Sequence, residues 1–93
     1  MTTVPTPSLR DALVAALQAR FAPSQLELVD DSAAHAGHAG ARSGAHFNLR
    51  IVSASFAGLP RIARHRLVYD ALRPWMDEGI HALAIDARTP EEA

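Results

Sequence analysis

Apolar positions recur along this chain in two rhythms, and each rhythm predicts a different kind of element. In SLRDALVAALQARF, Leu9, Leu13, Ala16, Leu17 and Phe21 recur at spacings of three and four, which marks one face of a helix. Ser8 offers an N-cap oxygen, Asp11 puts an acidic group in the first turn, and Pro23 stops the helix. QLELVD, from Gln25 to Asp30, alternates Leu26 and Leu28 against Glu27 and reads as a short strand. In HFNLRIVS, Phe47, Leu49 and Ile51 alternate with Asn48, Arg50 and Val52, which gives a second strand.

The stretch ASFAGLP turns the chain at Gly58, and Pro60 suits the first helical position, where its missing N–H costs nothing. A helix over PRIARHRLVYDALR follows. Projected at about 100° per residue, Leu67, Val68, Ala71, Leu72 and Trp75 share one arc, while Arg66, Asp70 and Arg73 point away. Arg64 falls inside the apolar arc, so its guanidinium must snorkel to the rim or find a partner. Pro74 is expected to end or kink the helix near Arg73, with Gly79 as a stop. IHALAIDA, Ile80 to Ala87, is a third strand with His81, Leu83 and Ile85 on one face. Its other face carries Ala82, Ala84 and Asp86, whose small side chains suit close helix packing. Thr89 and Pro90 start a terminal helix that is at most a stub. The order helix, strand, strand, helix, strand, short helix predicts an α+β class, with helices packed on a small three-stranded sheet. Residues 1–7 read as a loose arm before a single domain over residues 8–93.

Composition narrows the function classes. At 93 residues there is apolar surface for one core, and 48% apolar with 20% charged residues fits a soluble globular domain. A formal charge of −1 gives no global field toward nucleic acid or anionic lipid, so any such binding needs a local patch. No apolar run approaches the roughly 20 residues of a membrane span, and MTTVPTPS lacks the pattern of a signal peptide. A cytoplasmic protein with no membrane partner is expected. The absence of cysteine excludes disulfides, a thiol nucleophile and any thiolate ligand from this chain.

Candidate chemistry concentrates in two places. The first is DDSAAHAGHAGARSGAHF, which joins the first two strands by a loop of about 15 residues and holds His35, His38 and His46. With His81, these supply imidazoles suited to a transition metal, although solvated loop histidines and a structural His81 have the same sequence appearance. The second is the basic helix carrying Arg61, Arg64, His65, Arg66 and Arg73, which suits phosphate contacts, although an ordinary solvated face is the commoner meaning of such charges. Catalysis finds no support. The carboxylates lie near element ends, Ser32 beside His35 has no elbow-like turn, and Gly37 and Gly40 have no following lysine. No catalytic residue, no enzymatic activity and no small-molecule substrate are expected.

Three segments, LELVDDSAAHAGH, HFNLRIVSASFAGLPRIARHRLVYDAL and GIHALAIDARTPEE, together resemble the BolA family over residues 9–92. The resemblance implies a fold similar to a class II KH module, with helices arranged as in helix-turn-helix proteins. It implies two activities: transcriptional regulation tied to cell shape and stress response in bacteria, and partnership with a monothiol glutaredoxin around a bridged two-iron, two-sulfur cluster. The family ligand in HAL falls on His81, and the family's Ser-x-x-His falls on Ser32 and His35, with His38 as the rival second ligand. His46 and His65 match positions that are structural or nucleic-acid-facing in the family. A chain with histidines and no cysteine supplies imidazole alone, leaving thiolates to the partner and to glutathione; alone, it holds no cluster. Such ligation implies an acid-labile cluster with a potential above that of four thiolates. The expected function is therefore a glutaredoxin partner in iron–sulfur trafficking or iron sensing. The alternatives are a DNA-binding regulator using the arginine-bearing helix and a protein-interaction module without metal.

Overall fold

Ser8 begins the first helix as its side chain predicts. In the computed structural model its hydroxyl accepts the Asp11 N–H at 3.1 Å, and α1 runs Leu9–Phe21. The structure describes residues 8–30, 45–77 and 80–93, with Ala45 and His81 described by their backbone. Of the residues its spacing singled out, helix α1 buries Leu13, Leu17 and Phe21, while Leu9 and Ala16 are half-buried against the same core. It ends at Ala22, which adopts the left-handed conformation at φ 42° and donates its N–H to Gln18 O at 3.1 Å.

Three strands follow: β1 (Gln25–Asp30), β2 (Ala45–Val52) and β3 (Ile80–Arg88). They form one sheet in the order β1-β2-β3, with β2 antiparallel to β1 and parallel to β3. A parallel neighbour requires a crossover, and helix α2 (Arg61–Met76) supplies it. Leu28, Phe47, Leu49 and Ile51 are buried on one sheet face against α1, Val68 and Leu72 of α2, and Phe56. On the other face Glu27, Val29, Asn48, Arg50, Ala82 and Ala84 are exposed. Both helices thus share one core on one side of a mixed sheet, the α+β arrangement that the two apolar rhythms imply.

The segment after β2 explains why Ser53, Phe56 and Gly58 stand together in the sequence. Buried Ser53 donates its hydroxyl to Phe21 O at 2.7 Å and accepts the Ser55 N–H at 3.1 Å, tying the end of α1 to a 3₁₀ turn at Ala54–Phe56. Phe56 is fully buried with its ring 5.1 Å from that of Phe21. Gly58 takes φ 74°, a conformation that favours glycine.

Four expectations need correction. Pro60 is the N-cap of α2, and Arg61 is the first helical residue. Pro74 does not end α2, which continues to Met76 because Trp75 and Met76 pack against the core. The face of β3 toward the helices carries Leu83, Ile85 and Ala87, while Ala82 and Ala84 are exposed. Burying larger apolar groups outweighed the closer approach that alanines would permit. Finally, no helix follows β3. Thr89 starts a single turn closed by Glu92 N–H to Thr89 O at 3.0 Å. Gly79, the proposed stop, and the arm at residues 1–7 lie outside the described residues.

Candidate functional site

The strand register determines which candidate residues share an end of the sheet. Asp30, the last residue of β1, pairs with Phe47 near the start of β2, and Ala45 pairs with Ile80 at the start of β3. Neighbouring strands lie about 5 Å apart, so the end of β1 and the starts of β2 and β3 meet at one sheet end. The segment that leaves at Asp30 and returns at Ala45 carries His35 and His38; those two residues lie outside the described residues. Both of its attachment points nevertheless belong to the sheet end that holds His81.

His81 occupies an irregular backbone position. The pairing passes from Ala45–Ile80 directly to His46–Ala82, so His81 is the residue that the β2–β3 register skips. An extra residue in a strand re-aims the chain locally, and such bulges recur beside functional sites. His46 is half-buried at the start of β2. Among the described residues, no three His, Cys, Asp or Glu side chains gather as a complete metal site. The donor chemistry fits a shared cluster in one respect: this chain contains imidazoles and no cysteine, and can provide only part of a ligand set.

At the opposite end of β3 lies a cleft of about 720 Å3, lined by the start of α2, the end of β3 and Glu92. Arg61, Arg64 and His65 contribute to it, as does Arg88. Arg64 has found the partners its place in the apolar arc required. Its Nε donates to Leu59 O at 2.8 Å and its Nη1 to Ala87 O at 3.1 Å. Nη1 and Nη2 also reach the Glu92 carboxylate, at 2.5 and 3.2 Å. Arg88 donates to Asp86 at 2.8 Å, which raises its pKa. Hydrogen bonds from Arg64 and then from the Thr89 backbone hold the Glu92 carboxyl at about 2, below its ordinary 4.5.

The predicted basic set therefore divides. Arg61, Arg64 and His65 line the cleft, whereas exposed Arg66 and Arg73 do not, and Arg73 pairs with Asp70 along the helix. Arg88 and Glu92 were missed by sequence reasoning. The signal for Glu92 was the Thr-Pro-Glu-Glu spacing, in which a glutamate reaches back to the threonine N–H as in a capping box. The structure forms that contact, Thr89 N to Glu92 Oε1 at 2.7 Å, without a helix.

A family model for BolA-like proteins matches residues 17–92. The chain belongs to the BolA family. Solved BolA1 from Arabidopsis thaliana resembles this BolA-like chain with a TM-score of 0.81 at 38% identity, covering 95% of this chain and 99% of that one. A Sinorhizobium protein encoded in the cobS 5′ region is 41% identical over 88 residues, covering 91% of this chain and 95% of its own length. SufE-like protein 1 of Arabidopsis thaliana is 48% identical over 82 residues; the match covers 82% of this BolA-like chain and 22% of that longer protein. Among the described residues, no helix is long and apolar enough to cross a membrane.

Proposed function

We propose that this BolA-like chain is the imidazole-supplying partner of a monothiol glutaredoxin, acting in iron–sulfur trafficking or iron sensing. The observation that carries this reading is the register, which brings His81 and both attachment points of the His35 and His38 segment to one sheet end. A two-iron, two-sulfur cluster, when bound, supplies iron that accepts imidazole in place of some thiolates. His81 and one of His35 and His38 would donate ring nitrogens, and each must be neutral to do so. The missing thiolates come from the partner and from glutathione. The protein on this reading is cytoplasmic, has no catalytic residue and takes no small-molecule substrate.

The test is anaerobic reconstitution with a monothiol glutaredoxin, iron, sulfide and glutathione, followed by visible absorption and circular dichroism. Wild type should give a spectrum distinct from the glutaredoxin homodimer, and His81→Ala should abolish the difference. Parallel His35→Ala and His38→Ala proteins name the second ligand. A wild-type mixture that keeps the homodimer spectrum sinks the proposal.

A second reading, a DNA-binding regulator of cell shape and stress response, is favoured by the cleft at the other end of β3, where Arg61, Arg64, His65 and Arg88 meet. A double-stranded DNA titration at increasing salt tests it, because phosphate contacts release counterions and affinity must fall steeply. Affinity that does not respond to salt would exclude it.

A further inference from the structure

We propose that the cleft at the foot of α2 is a phosphate-binding site kept occupied by the protein's own Glu92 carboxylate, which an incoming phosphate group must displace. The inference deepens the second reading above, since a nucleic-acid strand would bring phosphates to this cleft.

The donors are arranged as for an oxyanion. Arg64 Nη1 and Nη2 and the Thr89 backbone N–H converge on the two oxygens of one carboxylate. Charge-assisted bonds of this fork geometry suit carboxylate and phosphate alike. Two further features favour phosphate. The cleft places three arginines, with His65, against the two carboxylates of Asp86 and Glu92, so positive charge remains after both carboxylates are counted. Its wall also includes Pro60, the N-cap of the 16-residue helix α2, which makes no side-chain capping bond. The positive end of that helix adds to the same field.

The donors are held more firmly than the occupant. The Arg64 side chain is 13% exposed and anchored by the carbonyls of Leu59 and Ala87. Thr89 is buried, and the end of β3 is tied to the core by Ser53 N–H to Arg88 O at 2.9 Å. The Glu92 side chain is 47% exposed and rides on a turn closed by one main-chain bond to Thr89. When Glu92 swings out, the guanidinium fork and the Thr89 N–H stay in place. The formal charge of the cleft, with His65 neutral, then rises from +1 to +2. Glu92 acts on this view as a built-in competitor, so that one isolated phosphate binds weakly and a ligand offering several phosphates binds better.

The experiment titrates full-length wild type, Glu92→Ala and Glu92→Gln with inorganic phosphate, and separately with a short DNA duplex, following the Arg64 Nε–H resonance by NMR. Phosphate should bind both variants more tightly than wild type, Glu92→Ala by about fivefold, the scale of losing one exposed ionic competitor. Glu92→Gln retains the side-chain volume, so an unchanged amide spectrum separates competition from misfolding. Tightening for phosphate and duplex together identifies strand phosphates as the ligand. Tightening for phosphate alone keeps the self-occupied site and removes the nucleic-acid reading. Unchanged or weaker phosphate binding in both variants overturns the inference, leaving Glu92 as a structural clasp, whereas the nucleic-acid reading is then judged by the wild-type salt dependence.

Discussion

Arg64 on α2 and Glu92 on the turn after β3 are joined through both terminal nitrogens of the guanidinium, at 2.5 and 3.2 Å. The same guanidinium satisfies two main-chain carbonyls, so its loss strands acceptors as well as a carboxylate. Arg64→Ala should cost roughly 2 kcal/mol, a fall in melting temperature of roughly 10 °C for a domain of this size. Arg64→Lys should recover only part, because one ammonium cannot reproduce the planar fork. Thermal denaturation of both variants checks this.

The Glu92 clasp also has a pH signature. Its carboxyl is held at about 2 in the folded chain against an ordinary 4.5. A depressed carboxyl stabilises the fold above its unfolded value and loses that contribution as protons bind. The stability difference between wild type and Glu92→Gln should therefore be constant above pH 4.5 and shrink toward pH 2. Chemical denaturation across that range measures it; a difference that grows on acidification would contradict the assignment.

Two positions with positive φ should respond in opposite directions. Ala22 caps α1 at φ 42°, where glycine avoids the Cβ crowding. Ala22→Gly should stabilise by about 0.5–1 kcal/mol. Gly58 sits at φ 74° with open space around a prospective Cβ, so Gly58→Ala should cost about 1 kcal/mol from backbone strain alone. Urea denaturation midpoints for the pair test both signs.

Ser53 links three segments through one buried hydroxyl, bonding Phe21 O and Ser55 N–H. Ser53→Ala leaves a buried carbonyl without its donor and should cost about 1–3 kcal/mol. Ser53→Thr keeps the hydroxyl, but its added methyl group enters a fully packed site. Melting curves of the two variants, with Ser53→Ala expected to fall, provide the comparison.

If DNA is held at the cleft, Arg61→Ala and Arg88→Ala should each lower the slope of log affinity against log salt by about 1. Arg73→Ala should change it less, since Arg73 lies outside the cleft and is paired with Asp70. Equal effects at all three positions would mean that the whole helix face, rather than the cleft, meets the strand.

Much of this fold was legible because its elements keep clean periods. Leu13, Leu17 and Phe21, like Val68 and Leu72, are buried where a 3.6-residue repeat puts them, and Phe47, Leu49 and Ile51 where a two-residue repeat does. The alternation of β3 was legible, with Leu83 and Ile85 on one face and Ala82 and Ala84 on the other, but the face assigned to the helices was the small one, whereas burial of the larger Leu83 and Ile85 decides it. Pro74 does not end α2, because local propensity is outweighed by packing of Trp75 and Met76. For the candidate sites, Arg64 was legible as a misfit in an apolar arc. Its partner Glu92 was not, because a contact between positions 28 apart depends on how α2 and β3 are docked.

The parallel pairing of β3 with β2 also orders events during synthesis. Helix α1 and the β1–β2 pair use residues that emerge first, while β3 joins only after α2 has crossed the sheet. Chains lengthen at about 5–20 residues per second, so there is an interval in which β2 presents a bare edge and the sheet has two of its three strands. His81 at one end of β3 and Ala87, Arg88 and Glu92 at the other are all delivered by this last step. A nascent or partly opened chain thus has neither the sheet end at His81 nor the basic cleft assembled, so any ligand that needs either would report that folding has finished.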